Sequence, residues 1–158
     1  MSEHEPTSTQ SPTEIAHRII EANSYMTIAT ADDTGRPWAT PVWFAHSADD
    51  GDEFVWVSRP TTRHSENIAA RREVAIVVYD SSVPVGSAAA VYVVAEAHEV
   101  IDDEREAALA VFNDRSVAQG IRAWTEADVS GGAPFRLYLA RATTAFVLGE
   151  GDQRVPLA

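Results

Sequence analysis

Short apolar runs separated by polar turns dominate this chain, and they predict strands more often than helices. Residues 25–31 read as a strand. Asp32-Asp33-Thr34-Gly35 is turn chemistry, and residues 37–46 resume as a second strand. A polar turn over 47–52 leads into the apolar strand Phe54-Val55-Trp56-Val57. Residues 74–79 are apolar at almost every position, which predicts cover on both faces. Residues 89–100 alternate: Val91, Val93, Ala95 and Ala97 share one face, while Glu96 and His98 mark the other as wetter. Residues 135–148 form a long last strand or a bent pair of strands.

Helical signals are fewer. Residues 1–10 are polar, lack periodicity and read as a disordered tail. Ser11-Pro12-Thr13-Glu14 then supplies an N-cap, a first-turn proline and a glutamate placed to close a capping box. The helix that follows turns Ile15, Ile19 and Ala22 to one side. A short helix containing Asn67-Ile68-Ala69-Ala70-Arg71 separates two strands, and Arg71-Arg72 end it facing water. Residues 102–113 predict another helix, with Ala108, Val111 and Phe112 on one side and Asp102-Asp103-Glu104 as a charged start. Thr125 to Asp128 suggests a further short start, broken at Gly131-Gly132. The tally is six or so strands, and hairpin turns between most neighbours favour a mainly β antiparallel barrel or sheet over an alternating parallel α/β fold. Residues 11–158 read as one domain.

Composition narrows the function. Lys+Arg 12 against Asp+Glu 24 gives a formal net charge of −12, which repels nucleic acid and anionic membranes unless the few cations cluster. There is no cysteine, so disulfides, thiolate metal sites and cysteine nucleophiles are excluded. No apolar run approaches the roughly 20 residues of a membrane helix, and no secretory signal is evident, so a cytoplasmic protein is expected.

The most suggestive chemistry lies at the strand-to-helix junction Ser58-Arg59-Pro60-Thr61-Thr62-Arg63-His64. Hydroxyls and cations at a helix start can hold a phosphate, because that end offers unpaired N–H groups and the positive end of the dipole. No Gly-x-Ser-x-Gly or metal-binding histidine pair stands out. His17, His46 and His98 lie far apart in sequence and read as structural or surface residues, so no metal site is expected. Trp38, Trp43 and Trp56 read as packing residues of the core or of a subunit interface.

The segment Gly35-Arg36-Pro37-Trp38-Ala39-Thr40-Pro41-Val42-Trp43-Phe44, the 58–67 turn and helix, and residues 74–80 resemble, in order and spacing, the pyridoxamine 5′-phosphate oxidase-like family. The resemblance covers residues 15–100 and, more loosely, the last strand. It implies a six-stranded antiparallel split β-barrel that forms a homodimer, with a flavin in each of two clefts at the subunit interface. By position, Ser58 and Thr62 would offer hydroxyls to the flavin phosphate, and Arg63 a charged fork. His64 stands where the family often has lysine, and a neutral imidazole adds no charge. Asn67 would brace the turn. Thr40, Pro41, Val42 and Trp43 match the strand that runs beside the isoalloxazine ring. Thr40 and Ala45 stand where oxidase members usually carry arginine and lysine, a departure from pyridoxamine-phosphate oxidase itself.

The resemblance implies a flavin-dependent oxidoreductase that passes hydride through bound FMN to or from a small molecule, with no acid or base residue evident. Two alternatives stand beside it. One is a deazaflavin-dependent reductase, whose cofactor tail would lie along Arg36, Arg59, Arg63 and Arg71; the other is a non-catalytic flavin-binding or sensor protein. A haem- or tetrapyrrole-binding relative is disfavoured, since no histidine stands at an evident axial position. Residues 81–87 form either a substrate lid or a connector, and Trp124 lies where it would reach the partner's cleft.

Overall fold

The computed structural model describes residues 9–49 and 51–158. Most of the disordered tail expected over residues 1–10 therefore lies outside the described residues. The cap at Ser11 forms as its sequence predicts: Ser11 Oγ accepts from Glu14 N at 3.2 Å, and Ser11 N donates to the Glu14 carboxylate at 2.8 Å. The helix it starts, α1 (Pro12–Ala22), buries Ala16, Ile19 and Ile20.

The remaining elements, in chain order, are β1 (Tyr25–Ala31), β2 (Pro37–Trp43), β3 (Ala45–Ser47), β4 (Glu53–Ser58), α2 (Arg63–Ala70), β5 (Glu73–Tyr79), β6 (Ala90–Glu99), α3 (Arg105–Ala118), β7 (Arg136–Leu148) and β8 (Arg154–Pro156). Short 3₁₀ turns cover Asp102–Glu104, Glu126–Asp128 and Glu150–Asp152. The helix expected from residue 102 starts three residues late because Asp102 has φ +48°, a left-handed conformation that cannot continue into an α-helix.

Where six strands are expected, the described residues form eight. The single strand expected over residues 37–46 is interrupted at Phe44 and yields two. A three-residue strand, β8, also pairs with the end of β7 through Phe146, Val147 and Leu148. All ladders are antiparallel, in the order β2-β1-β5-β6-β7-β4-β3. β2 and β3 lie at opposite ends of that path yet are joined by one residue. The sheet must therefore curl until its two ends approach each other at Phe44. Among the described residues no ladder closes that seam, so the result is an open, curled barrel.

Two apolar clusters explain the sequence pattern. Inside the curl, Phe44, Phe54, Trp56, Ile28, Ile76, Val91 and Tyr138 pack with α1. Outside it, Val55, Leu137 and Leu139 pack against Leu109 and Phe112 of α3. The unbroken apolar run 54–57 arises because β4 is covered on both faces, with Phe54 and Trp56 turned inward and Val55 toward α3. β5, expected to be covered on both faces, is covered on one by this chain. Val74, Ile76 and Val78 are buried, while Ala75 and Tyr79 are exposed. No helix among the described residues is long and apolar enough to cross a membrane.

Candidate functional site

α2 begins where β4 ends, and Thr62 is its N-cap. The Thr62 Oγ1 accepts from Ser65 N at 3.4 Å and contacts the Ser65 hydroxyl at 2.8 Å. The turn before it is closed by Thr62 N donating to the Arg59 carbonyl at 3.2 Å. With the Ser65 N–H engaged by the cap, the N–H groups of Arg63 and His64 remain at the helix start without an intrahelical acceptor. Arg63 is exposed, and its guanidinium carbon stands 4.6 Å from the centre of the Trp38 ring on β2. Stacking of this kind fixes the side chain while leaving the guanidinium edges open to an anion. Arg59 lies 4.9 Å over the Phe135 ring on the other side of the turn. In a chain of net charge −12, these two guanidiniums make the turn a local positive spot.

His64 behaves otherwise. The residue is 8% exposed and its ring turns inward, with Nε2 2.8 Å from Ser58 Oγ and 3.2 Å from Thr62 Oγ1. Burial pushes the imidazole pKa below its ordinary value of 6.5, so the ring is neutral at neutral pH and adds no charge to the turn. The Ser58 hydroxyl, expected to face a phosphate, is bonded to this imidazole. Because protonation is disfavoured in the fold, the unfolded chain binds the proton more readily. The stability that neutral His64 provides is fully present above the unfolded value of 6.5 and is lost as pH falls from there through the lower folded value. Removing the titrating ring in His64→Gln should flatten the fall. Urea melts of the two proteins across this window would check it, and parallel curves would contradict the assignment.

Asn67 is buried and donates from Nδ2 to Thr30 Oγ1 of β1 at 2.9 Å. It clamps α2 to the sheet rather than reaching the helix start. Thr30 in turn lies 3.5 Å from the Trp38 carbonyl, tying the helix, β1 and β2 together. The structure thus brings Ser58, Thr62, Arg63, His64 and Asn67 into one junction beside the first half of β2.

Thr40, Pro41, Val42 and Trp43 continue along β2 away from that junction. Val42 is buried in the inner cluster; Thr40 is half-buried and Pro41 exposed. Trp43 packs edge-on against Phe112 at 5.1 Å and donates from Nε1 to Gln119 at 2.9 Å. The run from Trp38 to Trp43 spans about 17 Å, and its odd spacing turns the two indoles to opposite faces of β2, Trp38 toward Arg63 and Trp43 toward α3. β2 is an edge strand paired with β1, and its outer backbone groups are available for hydrogen bonding. Trp56, by contrast, is wholly buried. Trp124 lies beside Phe112 and Phe135, and the 81–87 loop flanks a cleft next to α1 rather than the α2 turn.

A second cluster of polar groups escaped sequence reasoning. His17 and His46, far apart in sequence, meet at Asp52, with Nε2 atoms 3.2 Å and 2.7 Å from the same carboxylate oxygen. Spacing offers no sign of this, because the contact depends on α1 bringing His17 beside His46 and Asp52 only in the folded chain. His98 lies elsewhere, 2.7 Å from Glu104.

Among solved structures, the chain is similar to a haem-binding protein from Mycobacterium smegmatis, with TM-score 0.73 and 20% identity over 96% of this chain and 60% of that one. It thus spans less than two thirds of that protein's length. HutZ, the haem storage protein from Vibrio cholerae, aligns with TM-score 0.63 and 17% identity over 83% of this chain and 90% of that one. A FAD-binding protein from Mesorhizobium loti aligns with TM-score 0.60 and 20% identity over 87% and 92%. At these identities the likeness establishes the fold alone. No curated protein matches the sequence. The family model described as pyridoxamine 5′-phosphate oxidase matches residues 12–147, most of the chain, and the protein belongs to that family.

Proposed function

We propose that the protein binds a phosphorylated flavin, FMN in the first instance, and acts as a flavin-dependent oxidoreductase on a small molecule. The observation that carries this reading is the α2 start, where exposed Arg63 and two N–H groups without intrahelical acceptors lie in one turn beside an edge strand, while the Thr62 hydroxyl is engaged within the turn by the Arg59 carbonyl and Ser65. These residues fit a phosphate: a guanidinium supplies charge and paired donors, and the helix start supplies a fixed positive potential. His64 does not contribute charge, which leaves Arg63 as the principal cation. Trp38 holds Arg63 in place, and Asn67 holds α2 against Thr30. The outer edge of β2 around Thr40 and Pro41 is available for hydrogen bonds to a planar ring. When bound, a flavin supplies the hydride chemistry itself, so the protein's tasks are orientation and exclusion of water.

Titrating the full-length protein with FMN tests this reading, and saturable quenching of flavin fluorescence at one FMN per chain is the expected result. Saturation by a deazaflavin with no response to FMN would move the assignment to the deazaflavin reductases. Binding without turnover of any reductant would favour a sensor. A second reading, haem binding, is favoured by the likeness to the Mycobacterium smegmatis and Vibrio cholerae proteins. A Soret band on haemin titration, together with no response to either flavin, would replace the flavin reading with it.

The functional unit on this reading is a homodimer. Ala75 of β5 and Val94 of β6 face outward beside Tyr92 and Phe146, around a shallow depression of about 280 Å³. An apolar face of this kind is suited to burial against a second copy. Light scattering should give twice the chain mass, and Val94→Glu, at a position 48% exposed in the single chain, should shift it toward monomer without unfolding. A monomeric native protein would overturn the assembly.

A further inference from the structure

We propose that His17, His46 and Asp52 form a binding site for a divalent transition-metal ion of the zinc class, separate from the α2 turn and independent of flavin. The ligand atoms of the three side chains all lie within 4.8 Å of one another. Each Nε2 is directed at the same Asp52 Oδ1, at 3.2 Å for His17 and 2.7 Å for His46. Ligands bound tetrahedrally at about 2.0–2.1 Å from zinc stand roughly 3.3 Å apart. The His17–Asp52 separation already has that spacing. The His46–Asp52 pair needs to open by only about half an ångström to admit an ion at that spacing.

The three groups are fixed by three different parts of the fold. His17 is on α1, next to wholly buried Ala16. His46 pairs with Phe54 in the β3–β4 hairpin, and its ring packs 5.0 Å from the Phe54 ring. Asp52 is held through its backbone carbonyl, which accepts from Ala142 N at 2.9 Å. Such fixed placement lowers the ordering cost of binding an ion. Two imidazoles and one carboxylate are donors of intermediate softness, suited to zinc, cobalt or ferrous iron rather than to magnesium or calcium. Three protein ligands leave at least one position for water, as in zinc sites that keep an exchangeable ligand.

Access and field also suit a cation. The His17 and Asp52 side chains are 34% and 22% exposed. Beside His46 lies a cleft of about 380 Å³ lined by Glu21, Asp49 and Asp114 against one cation, Arg115. An acidic cleft raises the local concentration of cations. With no ion bound, the imidazole Nε2 atoms hydrogen-bond to the carboxylate; an ion at the centre of the three would take both Nε2 atoms as ligands and leave the ring protons on Nδ1.

Calorimetric titration of the tag-free, chelator-treated full-length protein with zinc chloride tests the proposal. Saturation at one zinc per chain is expected, with His46→Gln and Asp52→Asn each weakening affinity by more than about tenfold and His98→Gln leaving it unchanged. Cobalt(II) added to the native protein should develop visible bands distinct from those of the aquated ion, a readout that does not depend on whether a variant folds. Absence of saturable zinc binding, or zinc affinity unchanged in folded His46→Gln and Asp52→Asn, would overturn the site. So would a cobalt spectrum identical to that of the free ion. The FMN titration is read separately, so failure of either proposal leaves the other standing.

Discussion

Replacing Arg63 with alanine should weaken FMN binding by about 1.5–3 kcal/mol, the usual worth of hydrogen bonds to a charged group. That corresponds to roughly a 10- to 150-fold rise in Kd. The size of the effect follows from the surroundings. His64 is neutral and turned toward Ser58, so it offers no charge to take over when Arg63 is lost. Arg63→Lys should recover only part of the loss, because an ammonium keeps the charge but neither the fork nor the stacking on Trp38. Riboflavin, which lacks the phosphate, should bind the native protein and Arg63→Ala alike. Equal weakening for FMN and riboflavin would mean that Arg63 acts on the ring or on the fold, and the phosphate assignment would fall.

Trp56→Ala should be the most damaging single change to stability, at about 3–5 kcal/mol. Trp56 is wholly buried on β4 and stacks on Tyr138 of β7, with ring centres 5.8 Å apart and planes 17° from parallel. Its Nε1 is buried with no hydrogen-bond partner among the described residues. A buried donor without an acceptor carries its own penalty, on the order of 1–3 kcal/mol. Trp56→Phe removes that penalty while keeping most of the ring, so it should cost far less than the alanine change. Urea or guanidinium melts of the three proteins would read this order. A loss below about 1 kcal/mol in Trp56→Ala would contradict the packing described for the core.

Much of the fold is legible in the chain because local signals and tertiary packing agree. β1 covers the expected residues because Met26, Ile28 and Thr30 alternate inward and a Gly-containing turn ends the hairpin. α1 starts at its expected cap for the same reason. Phe44 is different. An unbroken apolar stretch gives no sign that the chain passes there from one end of the sheet to the other. β8 is missed because three residues ending in proline carry no strand periodicity. The turn at Ser58–Asn67 is legible as a location and less so as chemistry. Residue type alone does not tell whether His64 faces a ligand or the interior, and here burial next to Ser58 decides it. The His17–His46–Asp52 cluster is illegible for a plainer reason: its members converge only through tertiary packing.

The position of β4 has a consequence for how the chain acquires its structure during synthesis. Its only ladder neighbours among the described residues are β3, just before it, and β7, near the other end of the chain. Glu53 and Arg141, paired across β4 and β7 with their side chains 2.6 Å apart, are 88 residues apart in sequence. As the protein leaves the ribosome, β1, β2, β5 and β6 can pair in turn, while the β3–β4 hairpin waits without a lateral neighbour. Closing so long a loop before its contacts form is the slow kind of step in folding. The junction at Ser58 hangs from the end of β4, so β7, made late, completes the support for the proposed anion site encoded in the first half of the chain.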